Sequence, residues 1–154
     1  HYSDAEEAAA DYLRSLTFEL EKIIKMKLKR PLGESLEMAR PKRAESWRSG
    51  LSLQNIKANI EMVAAIYQVP GGFGDQLRAT GSEALDDGLR SGFAEVLEML
   101  GNINLPLAQA VADERARGQL EALEERLESQ LSLLSTALAR ELSLPIGFNA
   151  MDGD

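Results

Sequence analysis

Apolar side chains along this chain fall into stretches with helical spacing, separated by clusters of proline and glycine. In the first stretch Ala5, Ala9, Tyr12, Leu16, Leu20 and Ile23 recur in steps of three and four, continued by Met26 or Lys27. Leu13, Ile24 and Leu28 widen that stripe, so the helix is expected to be covered on more than one side. An acidic first turn after Ser3 suits a helix start, and Pro31 with Gly33 suits a stop, which predicts a helix over Asp4–Leu28. A second stripe, Leu53, Ile56, Ile60, Val63, Ala64 and Tyr67, predicts a helix over Ser52–Gln68 with Ser52 as its N-cap. Asn55, Asn59, Met62 and Ile66 form a separate mixed face on that helix, suited to contact with another domain.

Asp75–Ala79 is expected to form a helical turn after the Val69–Gly74 turn cluster, whose glycines lack the lysine and strand context of a phosphate loop. Leu85, Leu89, Phe93, Val96, Leu97 and Leu100 predict a helix over Ser82–Leu100, closed by Gly101 and Asn102. The last stripe is the most regular. Leu120, Leu123, Leu127, Leu131, Leu134, Leu138 and Leu142 follow an eleven-residue repeat, which keeps one face of a nearly straight helix apolar. Ala112–Leu142 is the predicted span, and Pro106–Ala112 is read as a possible separate piece because Gly118 could mark a bend. The pattern predicts an all-α chain, an up-and-down four-helix bundle with a long irregular loop between the first two helices. That loop, residues 31–51, is long for a compact domain, and loops of this length more often carry function than not.

Composition narrows the chemistry. The 154 residues suffice for one domain, and aromatics are only 5%, so the core must come from Leu, Ile, Ala and Val. There is no Cys and a single His, residue 1, which excludes thiolate chemistry, a Ser-His-Asp arrangement and a nitrogen- or sulfur-ligated zinc site. A di-iron bundle would need inward Glu-x-x-His pairs, and the chain has none. Glu121, Glu124, Glu125 and Glu128 alternate with the leucine stripe and are read as solvated. The net charge of −8 argues against nucleic acid as a partner, and no apolar run is long enough for a membrane span. The absence of a leader segment carries no information. Charge is unevenly spread: residues 1–57 hold 11 of the 17 Lys and Arg but 9 of the 25 Asp and Glu.

The stretch from Arg43 through Asn59 concentrates the side chains that could form a site. It holds the only Trp, Arg48 beside it, and Ser and Asn side chains running from the loop into the second helix. A helix start near an arginine favours an anion, since open N–H groups and the helix dipole both attract negative charge. The structural reading of the same residues is a capped helix after a loop, with Trp47 in the core and Arg48 in a surface pair.

Ala44-Glu45-Ser46-Trp47-Arg48-Ser49-Gly50-Leu51-Ser52 through Asn59 resembles a signature of the imelysin-like family. Lys27-Leu28-Lys29-Arg30-Pro31-Leu32-Gly33 and the tail Gly147–Asp154 agree with it and stand in family order. These are bacterial cell-envelope proteins, grouped with metallopeptidases and related to the periplasmic component of ferrous-iron uptake. The resemblance covers the C-terminal half of such a protein; the family's G-x-H-x-x-E motif belongs to the other half, and His1-Tyr2-Ser3-Asp4 is not that motif. It implies a site shared with an N-terminal helical domain, to which this chain brings Glu45, Ser46, Trp47, Arg48, Ser49, Asn55, Asn59, Asn149 and Asp152. It implies a periplasmic or outer-membrane-associated binding protein linked to iron or another divalent metal. The metal would be held mainly by the other half, and a small anionic ligand is a further candidate. The alternatives are a metallopeptidase half-site and a structural partner in an envelope complex. No residue of this chain offers itself as a general base.

Overall fold

The computed structural model describes residues 5–144. Among them every regular element is a helix, and there are six. The chain is all-α, as the sequence predicts. We label the helices α1 (5–32), α2 (Ser52–Tyr67), α3 (Phe73–Ala79), α4 (Glu83–Gly101), α5 (Leu107–Ala110) and α6 (114–141).

Helix α1 is α-helical over Ala5–Lys22, widens into a π-helical turn over Ile23–Lys29, and closes with Arg30–Leu32. It runs past Pro31, which was expected to stop it. A widened turn displaces the carbonyl that a proline ring would strike in a regular helix, so Pro31 is accommodated and buried. The buried face is also shifted. From Leu13 on, Leu13, Leu16, Leu20, Ile23, Ile24 and Leu28 are buried as predicted, but near the start Ala10 is buried while Ala5 and Tyr12 are exposed. Two adjacent apolar stripes compete on this helix, and spacing alone cannot choose between them.

Helix α2 keeps its predicted face: Ile56, Ile60, Val63, Ala64 and Tyr67 are buried, and Leu53 is half-buried against the core. Helix α3 follows the turn at 69–72, and α4 begins one residue after Ser82. In α4 Leu89, Phe93, Val96 and Leu100 are buried, with Leu85 and Leu97 packed half-buried against them. The break before the last helix lies at 111–113. Asp113 caps α6, accepting from the Ala116 N–H at 2.8 Å, and Gly118 sits inside the helix. Leu107–Ala110 is a separate short helix, and Ala112 is exposed.

The leucine series of α6 is core over most of its length, but its repeat is broken. Leu120, Leu123, Leu127, Leu134 and Leu138 are buried, while Leu131 and Leu142 are only half-buried. A second π-helical turn, Leu133–Leu138, shifts the register, and Gln130 occupies the fully buried position beside Leu131. Its Nε2 donates to the Leu89 carbonyl at 2.6 Å.

Side-chain contacts give the arrangement of the long helices. Lys29 of α1 meets Glu124 and Glu128 of α6, and Arg117 near the start of α6 reaches the end of α1, so these two run antiparallel. Likewise Lys27 meets Asn59 of α2, while Tyr12 lies against Phe73 just beyond the end of α2. Leu53 and Lys57 of α2 share a groove with Leu100 and Gly101 at the end of α4, and Tyr67 bonds Asp86 near its start.

Asp86 was not expected in the core. It is fully buried on the inner face of α4, accepting from Tyr67 Oη at 2.7 Å, Arg78 Nε at 2.5 Å and Arg90 Nε at 2.9 Å. Burial pushes its carboxyl pKa up, but the Arg90, Tyr67 and Arg78 bonds outweigh that and hold it below the usual carboxylate range. Burial, together with Asp86 itself, raises the Tyr67 hydroxyl far above its ordinary value. A carboxylate buried with its partners is costly to break.

Two stability predictions follow from this packing. Leu134→Ala should cost about 2–5 kcal/mol through lost burial and a residual cavity. Glu125→Ala, at an exposed position of the same helix, should cost under about 0.5 kcal/mol. Denaturant unfolding of the two variants checks the face of α6. For Asp86 the folded pKa lies below the unfolded value, so its contribution is present above about pH 4 and fades as pH falls through the folded pKa. Asp86→Asn should therefore lose about 3–5 kcal/mol at neutral pH, with the gap to the parent narrowing in acid. Unfolding midpoints measured from neutral pH down to the acid limit test this.

Candidate functional site

The irregular segment between α1 and α2 is positioned by its own backbone bonds. Gly33 ends α1 at φ +67, and a side chain there would collide with the Met38 carbonyl, which reserves the position for glycine. A turn over 35–39 follows, with the Met38 and Ala39 N–H groups donating to the Ser35 and Leu36 carbonyls. The Arg40 N–H then donates to the Pro31 carbonyl at 2.8 Å, folding the segment back onto the end of α1. A 3-10 turn at Pro41–Arg43 packs on residues 30–32 and on α5, and Ala44 is buried beneath it.

Four predicted site residues meet at the junction of α1, this segment and α2. Two of them are joined by Lys27, whose side chain is only 12% exposed. Its Nζ lies 2.9 Å from Glu45 Oε2 and donates to Asn59 Oδ1 at 2.7 Å. Asn55 Nδ2 donates to Ser46 Oγ at 3.2 Å, one helical turn before Asn59. Ser46 takes a left-handed backbone, φ 55, rare for a residue other than glycine. The N–H groups of Ser49 and Gly50 and the Ser49 hydroxyl hold it there by donating to its carbonyl. A strained conformation fixed by several bonds is characteristic of built surfaces that position a side chain.

Trp47 and Arg48 form a neighbouring pair. Trp47 is half-buried against the core, the Arg48 guanidinium lies 4.8 Å from its ring centroid, and Lys42 Nζ lies 5.9 Å away. Arg48 is exposed and makes no carboxylate pair among the described residues, so the surface-pair reading of it is replaced by stacking on Trp47. Ser49 serves the 46–50 turn through its bonds to the Ser46 carbonyl. Ser52 does not cap α2. It lies inside the first turn, buried, with its hydroxyl donating to the Glu45 carbonyl, while Leu51 occupies the cap position without a side-chain bond. The local pull of the Glu45 carbonyl beats the cap geometry once the loop has folded over the helix start. Asn149 and Asp152 lie outside the described residues.

The family model named Imelysin matches residues 2–134, a span that includes every residue of this junction. The chain belongs to the imelysin family. No curated protein and no solved structure matched it.

For an imelysin chain the donor inventory is limited. Among the described residues no group of three or more His, Asp and Glu converges as a metal site, and Glu45 is taken by Lys27. The described residues therefore do not by themselves fit a metal centre. No described helix is long and apolar enough to cross a membrane. The residue that sequence reasoning missed is Lys27. It was read as a possible core position of α1, and its family-matched stretch was the only signal that it belonged with Glu45 and Asn59.

The junction makes a direct prediction. Lys27→Met should cost about 1–3 kcal/mol, because a half-buried charged bond is lost, and should speed hydrogen exchange at 44–50. Arg48→Ala should cost about 0–1 kcal/mol, since an exposed stacked cation contributes little. Hydrogen exchange on both variants distinguishes the anchor from the bystander.

Proposed function

We propose that this imelysin chain is a cell-envelope binding protein, periplasmic or outer-membrane-associated and linked to iron or metal uptake. A second helical domain on its N-terminal side would complete the site. The observation that carries this reading is the pair of neighbouring contacts at the junction, Lys27 with Glu45 and Asn59, and Asn55 with Ser46, with Arg48 exposed alongside. Three separate stretches of chain are spent on building one polar surface. It presents amides, a hydroxyl, a neutralised carboxylate and a guanidinium that no carboxylate of the described residues engages. Met62, 46% exposed, and half-buried Ile66 continue this face of α2, the mixture expected of a surface that meets another domain.

On this reading the ligating groups come from the other domain, and this chain's residues orient them and the bound species. Lys27 fixes Glu45, Ser46 and Asn55 fix each other, and Arg48 offers a planar fork to a carboxylate or an anion. A bound metal would supply positive charge to hold oxygen ligands. No side chain at the junction is placed as a general base.

The test uses the two-domain protein and ferrous iron added under anaerobic conditions, with affinity read by calorimetry. Glu45→Gln and Arg48→Ala should each weaken binding about 10–100-fold, the range typical of residues that orient ligands. Arg48→Lys should recover little, because a point charge does not replace a planar fork. Wild-type affinity in all three variants would remove this surface from the site. Peptide hydrolysis abolished by a chelator would replace binding with the metallopeptidase reading.

A further inference from the structure

Helix α1 carries apolar side chains that the core of this chain does not use. Tyr12 and Met26 belong to one helical face by spacing, yet both are exposed. Both border α2. The Tyr12 ring lies against Phe73, just past the end of α2, and Lys27, next to Met26, bonds Asn59. Across that seam α2 presents Met62 and Ile66, one and two turns on from Asn59, and Val69 follows. Tyr12, Met26, Met62 and Val69 are each 44–47% exposed, and Ile66 is half-buried. Together they lie along the outside of the α1–α2 pair. At the far end Ala8, Ala9 and Gly72 line a cleft of about 310 Å³ with Tyr12 and Phe73, room for one large apolar anchor.

Glu19 sits midway along this face, seven residues from Tyr12 and seven from Met26. Its side chain is only 16% exposed, and its carboxylate is poorly bonded. Oε1 is buried and meets no hydrogen-bond donor among the described residues, while Oε2 has only the exposed Lys22 Nζ at 3.4 Å. A carboxylate largely shielded from water is costly unless donors reach it. The terminal torsion of a glutamate is soft, so a small rotation turns the unmet oxygen toward a donor arriving at the face.

From the apolar face and the underbonded Glu19 together, we infer that the outside of the α1–α2 pair seats one amphipathic helix that brings a basic side chain to Glu19. The identity of this partner rests on the function proposed above: the helix belongs to the second domain. The face is continuous with the junction assigned to that domain, since Met62 lies one turn from Asn59. From Tyr12 to Met26 it spans about 21 Å, four turns of a partner helix laid along the seam. Charge decides against other occupants. A second copy of this chain, related by a two-fold axis on the face, would set the central Glu19 against its own equivalent. An anionic bilayer would repel the same carboxylate.

The test reads methionine oxidation in the metal-free two-domain protein, where dilute hydrogen peroxide converts accessible thioethers to sulfoxides. Met38, on the loop after α1 and as exposed as Met62, is the internal reference. Peptide mass spectrometry should show Met26 and Met62 oxidising at least about tenfold more slowly than Met38. Glu19→Leu supplies the sign. With a basic partner it leaves a buried cation unmet and should speed oxidation of Met26 and Met62 severalfold, with Glu19→Gln in between. A carboxylate without such a partner, replaced by leucine, would leave those rates equal or slower. Met99, packed against the core, should keep its rate in both variants, which shows that the fold of this chain is intact. Oxidation of Met26 and Met62 at the Met38 rate, or no acceleration in Glu19→Leu, overturns the inference. So does protection that disappears on dilution, which would assign the face to a second copy. No metal enters the measurement, so failure of the iron-binding reading and failure of this docking are seen separately.

Discussion

The loop between α1 and α2 depends on where α1 stops, and one buried guanidinium fixes that end. Arg117, 6% exposed in the second turn of α6, donates from Nη1 to the Leu32 carbonyl at 2.6 Å and from Nη2 to the Gly33 carbonyl at 3.0 Å. Carbonyls at a helix end have no partner within the helix and are costly to bury unmet. Arg117 meets two of them with a charge suited to the negative end of the α1 dipole, and Glu121 at 2.8 Å offsets its charge. The interaction fixes the end of α1 against the start of α6, and the segment at 33–51 unrolls from that point.

The junction inherits its geometry from this anchor in steps. Gly33 turns the chain, Arg40 returns to the Pro31 carbonyl, and Ala44 is buried, which brings Glu45 within reach of Lys27. Lys27 itself is aimed by the π-helical turn of α1, which gives up regular α-helical register over Ile23–Lys29. Such turns persist where something is gained from the redirected side chain. Here the gain is a lysine that bridges a loop carboxylate and an amide of α2, tying three stretches of chain into one surface. Lys27, Glu45, Ser46, Asn55 and Asn59 face the α1–α2 side, whereas Arg30, Arg40, Lys42 and Arg43 crown the end of α1.

The buried Asp86 cluster plays the corresponding part on the other side of the core. Three donors converge on it from α2, α3 and α4, so one carboxylate joins three helices. Gly74 at the start of α3 permits the approach, since a side chain there would press on Arg90 and on Asp86 itself. Its role is structural, and it locks the α2–α4 connection that sets the direction of the α2 face.

Periodicity alone determined that the chain is helical, where α2 and α4 lie, and which leucines of α6 form most of the core. These follow from local spacing, because residues three and four apart must share a face. The family-bearing residues also named most of the junction: Glu45, Ser46, Asn55 and Asn59 were legible as a group before their geometry was known. Tertiary structure decided the rest. It carried α1 through Pro31, rotated its buried face away from Tyr12, and took Ser52 from capping to a buried bond with the Glu45 carbonyl. It placed Gln130 in a buried position beside Leu131, and it drew Lys27 into the junction and Asp86 into the core. In each of these cases the deciding partner lies on another element or beyond a wide turn. No spacing rule within a helix contains that information.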